Sequence, residues 1–118
     1  MTLRMNGIGR AALGAIMVAA PGRVARLWLG SSGAIEAKVL GRTHGVRDLG
    51  LGAGLVWALD RDEPVHPWAA AAALSDAVDA GVTLAFWNSL PRTGRWLVLA
   101  LALPSAVQMG VLAARTAR

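Results

Sequence analysis

The chain has 118 residues, 55% of them hydrophobic and 16% charged, and it contains no cysteine. Soluble domains are roughly a quarter charged, so this composition leaves too little polar surface for a globule wetted on every side and points to a bilayer as solvent. The lack of cysteine excludes disulfides, thiolate metal sites and a cysteine nucleophile, and the net charge of +5 comes without the basic stripe or interleaved aromatics of a nucleic-acid binder.

The first apolar segment runs from Leu3 to Ala20 and includes Arg4 and Arg10. It imitates a secretory signal, with Val18-Ala19-Ala20 in the place of a cleavage site, but Pro21 directly after that site argues against cleavage. The segment is therefore read as a first span over about residues 3–21, stopped by Pro21-Gly22. The stretch Arg23-Val-Ala-Arg26-Leu-Trp28-Leu29 alternates basic and apolar residues, which suits either a short interfacial helix or a basic loop. A second span covers about 38–59, and the charged turn Asp60-Arg61-Asp62-Glu63-Pro64 ends it. A third covers about 67–90, with Pro67 in its first turn and Asp76 and Asp79 as its only charges. The fourth, about 95–115, contains a charge-free run of nineteen residues from Trp96 to Ala114, long enough to cross the hydrocarbon. Thr93 or Gly94 is expected to open it, and Pro104 predicts a kink near its middle.

Tryptophan placement agrees with these cuts. Trp57 and Trp68 flank one turn, Trp87 and Trp96 flank the next, and Trp28 falls between the first two spans. All five therefore sit at predicted span ends, as interface anchors do. Trp68 to Trp87, Lys38 to Trp57, Trp96 to Arg115 and Arg4 to Arg23 are each nineteen residues apart, about 28 Å as helix and close to one hydrocarbon thickness. The expected fold is thus all-α: a single domain, residues 1–118, forming a four-helix up-down transmembrane bundle with both termini on one side. The plasma membrane is the expected location, multi-pass. Arg4, Arg61, Arg115 and Arg118 lie on one side against Arg23, Arg26, Lys38, Arg92 and Arg95 on the other, with Arg42 as a sixth if it reaches that end, a bias that leans toward a cytoplasmic Arg23 side but is small enough to permit dual topology.

Gly7-Ile-Gly9-Arg10-Ala11-Ala12 matches a dinucleotide fingerprint as letters, but no strand precedes it and no acidic residue follows at the required distance. Small residues in such helices serve close packing, and Gly41 with Gly45 and Gly50 with Gly54 have the G-x-x-x-G spacing for it.

Arg10, Arg42, His44, Arg47, Asp48, Asp76 and Asp79 fall inside the spans. Each would cost on the order of 3 kcal/mol at mid-bilayer, so they are expected to turn inward as one polar network. His44, Arg47 and Asp48 share one face of the second helix, and Asp76, Asp79 and Thr83 share one face of the third. Arg47 and Asp79 each lie sixteen residues from the turn at residue 63, so antiparallel helices would set them at one depth. Arg10 is expected to complete the cluster. On the fourth helix Ser105 and Gln108 mark the inward face, leaving Leu97, Leu101 and Leu112 for lipid.

Three readings of that network stand open. It can be a set of salt bridges that fixes how the helices meet. It can be a proton-coupled transport site in which Asp76 and Asp79 carry the proton. It can be a metal-dependent lipid-modifying centre using Asp76-x-x-Asp79. No nucleophile triad is present, no cofactor or metal is expected, and an enzymatic role is not expected.

The run Gly41-Arg42-Thr-His-Gly45-Val-Arg47-Asp48, followed by Trp68 and Asp76-Ala-Val-Asp79, resembles a family of small four-span bacterial integral membrane proteins. Those carry a G-R-x-x-G-x-R-D segment in the second span and D-x-x-D in the third. The layout is more loosely similar to DoxX-like membrane proteins. The resemblance implies fold and membrane location, without an activity. The expected role is that of a structural or accessory membrane component, acting as a homo-oligomer or within a larger membrane complex, with lipid rather than nucleic acid as its partner.

Overall fold

The computed structural model describes residues 2–30 and 35–117 and, among them, five α-helices and no strand. Arg118, counted above among the side-determining charges, lies outside them. Helix α1 (Leu3–Ala19) starts where the Met5 N–H donates to Thr2 Oγ1 at 3.1 Å, a side-chain cap for one of the free N-terminal amides. Pro21 cannot continue α1, since it lacks the N–H, and it occupies the first position of α2 (Pro21–Leu29), whose axis turns 104° from that of α1. The 23–29 stretch is therefore helix rather than loop. It ends at Gly30, whose φ of 77° lies in the left-handed region that glycine adopts without strain.

Helix α3 (Ile35–Asp60) is the longest, at 26 residues or roughly 39 Å. A left-handed Asp62, φ 54°, ends it, and the Glu63 N–H donates back to the Ala58 carbonyl at 2.9 Å in a Schellman arrangement. Helix α4 (His66–Ala85) carries Pro67 in its first turn. It stops five residues short of the expected residue 90, in a 3₁₀ turn over Trp87–Ser89. Asn88 and Ser89 compete for backbone hydrogen bonds, and Pro91 holds Leu90 extended (ψ 149°). Helix α5 (Arg92–Thr116) begins after Pro91, one residue ahead of the expected Thr93 or Gly94, and contains Pro104.

The four long helices form two antiparallel pairs. In the first, α1 lies on α3 along a glycine seam: a Cβ added to Gly45 would stand 2.7 Å from the Gly14 carbonyl oxygen, and one added to Gly7 3.2 Å from that of Gly52. No side chain fits between backbones that close. Gly41 packs on Pro21 and Gly54 on the Trp68 ring, but Gly50 corrects the expectation, because nothing lies within 4 Å of its Cβ position. Glycines 50 and 52 are two residues apart, so they point about 160° away from each other, and only Gly52 meets α1. In the second pair, α4 lies on α5 through Ala80, Leu99 and Ala102 at one end. At the other end Ala69, Ala72 and Met109 meet Leu55 of α3. Leu112 packs beside that cluster rather than facing outward, a second correction, since α5 turns it toward α4. The bundle measures 43 × 26 × 20 Å.

Among the described helices, α5 alone is long and apolar enough to cross a membrane unaided, with a mean hydropathy of 2.0 over its best eighteen residues, only 17% of them buried. Helices α1 and α2 reach that apolar length together, as a pair bent at Pro21. Six charged residues lower α3.

Candidate functional site

Charge gathers where the two helical pairs meet. Arg10 of α1 is 9% exposed, Asp48 of α3 5% and Asp76 of α4 6%. The Arg10 guanidinium donates from Nη1 to Asp48 Oδ1 at 3.2 Å, and from Nη2 to Asp76 Oδ2 and to Ser105 Oγ of α5, the latter at 3.1 Å. One side chain thus ties all four long helices together.

Arg47 forms the second node. Its Nη1 and Nη2 donate to Asp79 Oδ1 and Oδ2 at 3.2 and 2.8 Å, a two-pronged geometry that a planar guanidinium provides and an ammonium does not. Its Nε and Nη2 also reach Asp48 Oδ1, at 3.3 and 3.2 Å. Asp48 is therefore the acceptor that joins the two arginines.

His44 is one turn back along α3, with its Nε2 2.7 Å from Arg47 Nη2 and 3.1 Å from Asp79 Oδ2. Arg47 Nη2 has two hydrogens to share among Asp79, Asp48 and His44, and His44 Nε2 is also within donating reach of Asp79 Oδ2. Trp28 of α2 stands edge-on to the ring, centroids 5.2 Å apart at 72°.

The structure brings together six of the seven residues expected in the network, Arg10, His44, Arg47, Asp48, Asp76 and Asp79. It leaves out Arg42, which is exposed on α3. Five residues separate it from Arg47, which places it about 140° round the helix. One polar partner, Asn6, was not expected. Asn6 donates to Ser105 Oγ at 3.0 Å and to Gln108 Oε1 at 3.2 Å, bridging α1 to α5. Asn6 precedes Arg10 by one helical turn, and that spacing was the available signal.

Helices α1 and α5 otherwise hardly touch. Between them opens a crevice of about 440 Å³, closed at one end by α2. Its walls are apolar, with Leu13, Leu27, Leu97 and Leu101, and its floor is the ion cluster, with Arg10, His44, Asp48, Asp76 and Asp79 all lining it.

The remaining anchors sit at the ends. Trp87 and Trp96 meet edge to face at 5.1 Å, and the Arg95 guanidinium lies 4.5 Å from the Trp87 ring centre while donating to the Trp87 carbonyl at 2.9 Å. Arg61 stands over Trp57 at 5.8 Å. At that same end Arg4 donates to Asp60, and this hydrogen bond holds the Asp60 carboxyl below the ordinary carboxylate range.

Gly7 to Ala12 lies wholly within α1, so the strand-turn-helix of a dinucleotide site is absent there. Among the described residues no three histidine or acidic side chains are grouped to hold a metal ion, and guanidiniums take up the carboxylates that a lipid-modifying metal centre would need. No family model matches the chain, and no curated protein or solved structure is significantly similar to it.

Proposed function

We propose that the chain is a small four-span integral membrane protein of the plasma membrane, a structural or accessory component whose buried arginine–aspartate network sets how its helices assemble. The observation that carries this reading is the inverted polarity of the bundle. Arg10, Asp48 and Asp76 are buried against one another, while Ile16, Leu40, Val46, Leu74, Val78 and Val107 stand 50–68% exposed along the outside. Water penalises such an exterior and lipid favours it. With apolar surface on all sides, a second copy or a larger membrane complex has room to pack, and the resemblance to small four-span bacterial proteins points the same way.

Because the chain has no cysteine, single cysteines can report its topology. Cysteine in place of Glu63 or Ala117 is expected to react with an impermeant maleimide from the same side of the membrane as one at Thr2, and cysteine at Asn88 from the opposite side. Release of the whole chain from membranes by alkaline carbonate would overturn the reading.

A second reading, a small proton-coupled transporter using Asp76 and Asp79, is favoured by the crevice, which gives both carboxylates a route to the outside. His44 lies at the same place, with its Nε2 in contact with both Arg47 and Asp79.

A further inference from the structure

We propose that one end of the bundle, formed by α2 and the opening turns of α3 and α5, binds the headgroups of anionic phospholipids and gathers them from the surrounding leaflet. The proposal rests on the bilayer placement above and goes beyond it by naming the lipid class and the end that takes it.

Charge is divided unequally between the two ends. At the α2 end Arg23, Arg26, Lys38, Arg42, Arg92 and Arg95 stand against one acidic residue, Glu36. At the opposite end, among the described residues, Arg4, Arg61 and Arg115 stand against Asp60, Asp62 and Glu63, and Arg4 is paired with Asp60. Close helix contacts assemble the basic end: Gly41 of α3 packs on Pro21, a Cβ added to Gly30 would stand 3.0 Å from the Pro91 ring, and Gly94 of α5 lies against the backbone of Leu27 and Trp28. Arg23, Lys38, Arg42 and Arg92 are exposed there and form no ion pair among the described residues. Cations gathered without acids repel one another and raise the local potential, so this end attracts anions from outside the chain.

Depth decides which anion. Helix α2 turns 104° from α1, so it lies along the membrane plane when α1 runs along the normal. Pro21 and Ala25 face the bundle, whereas Arg23 and Arg26, one turn apart, are exposed. Trp28, Trp87 and Trp96 belong to the same end, Trp96 standing 56% exposed, and tryptophan settles at headgroup level. Arginine and lysine side chains extend from that level to the phosphates. The cations are spread over α2, α3 and α5 rather than along one face, an arrangement that suits several separate headgroups and not one continuous polyanion. A zwitterionic headgroup brings no net charge to such a surface and an anionic one does, so the anionic lipid is the one selected.

The test places an uncharged fluorophore on a single cysteine, at Asn88 beside the basic end or at Ala117 at the opposite end, in a chain that has no other cysteine. The full chain is reconstituted in phosphatidylcholine nanodiscs that carry a small fraction of nitroxide-labelled lipid, either phosphatidylglycerol or phosphatidylcholine, with the nitroxide high on the acyl chain. Quenching then reports how much of each lipid lies against that end. A triple variant, Arg23→Gln with Arg42→Gln and Arg92→Gln, removes charge at exposed positions outside the ion cluster. Circular dichroism and gel filtration establish whether it keeps the wild-type fold, and raising the salt around the wild type gives a second reading that needs no variant.

Phosphatidylglycerol is expected to quench at Asn88 as though enriched about fivefold over phosphatidylcholine, the attraction of roughly one cation to an anionic surface, with no such preference at Ala117. The preference is expected to disappear in the folded triple variant and to shrink in the wild type as salt is raised. Equal quenching by both lipids at Asn88, an equal preference at both ends, a preference that salt leaves unchanged, or one undiminished in the folded variant would each overturn the proposal and leave the bilayer placement standing. Quenching by neither lipid at either end would overturn the bilayer placement and the proposal with it.

Discussion

Asp48 accepts from both Arg10 and Arg47, so the cluster is one connected unit rather than separate pairs. Removing one partner of a buried ion pair strands a charge and costs on the order of 3–5 kcal/mol, whereas exchanging partners keeps the charges matched. Arg47→Asp and Asp79→Arg are each expected to abolish accumulation of the folded protein in membranes, and the double exchange to recover part of it, as read by immunoblot of the membrane fraction. The exposed pair behaves differently. Asp60 has a lowered folded-state value, so what its contact with Arg4 contributes is present above the unfolded carboxylate value and is lost as the pH falls through the folded one. Both side chains are about half exposed, 54% and 48%, and solvent screening keeps the effect small. Asp60→Asn is expected to lower the melting temperature slightly at neutral pH and not at pH 2, checked by thermal circular dichroism in detergent.

At the scale of the element, α3 owes its place to glycines that differ in what they face. Gly45 meets the α1 backbone and Gly50 meets nothing. Gly45→Val is expected to separate the α1/α3 pair and eliminate folded protein. Gly50→Ala is expected to be neutral or to stabilise by up to about 1 kcal/mol, since alanine is the better helix former. A denaturant titration in micelles distinguishes the two. The turn after α3 offers a third change. Asp62 holds a φ of 54°, a region where a side chain is strained and glycine is not, so Asp62→Gly is expected to stabilise by roughly 0.5–1 kcal/mol in the same titration.

Taken whole, the molecule is two helical pairs, each joined by small residues, with an ionic seam between them and apolar clusters toward its ends. Buried ion pairs can often be replaced by apolar side chains of similar volume at no loss of stability. If the Arg47–Asp79 pair only organises the bundle, replacing it by Arg47→Met together with Asp79→Leu is expected to leave accumulation and melting temperature near wild type. Under the transporter reading the same double variant stays folded and loses proton-coupled flux in liposomes. Accumulation and flux measured side by side separate the two roles.

Much of this arrangement is legible before folding is considered. Low charge, apolar periodicity and Pro–Gly punctuation determine an all-helical chain, because each acts through local backbone chemistry and through burial averaged over a whole segment. The equal distance of Arg47 and Asp79 from residue 63 follows from helix rise alone, and the folded chain joins them at 2.8 Å. The rotation of each helix about its axis is another matter. It separates Arg42 from the cluster, turns Gly50 outward and Leu112 inward, and brings Asn6 to Ser105. The choice of α1 with α3 and α4 with α5 as close pairs, which leaves a crevice between α1 and α5, likewise depends on which glycine and alanine faces meet. Those facts belong to the packed bundle, since each residue advances a helix by about 100° and only contact between neighbouring surfaces selects which face turns inward.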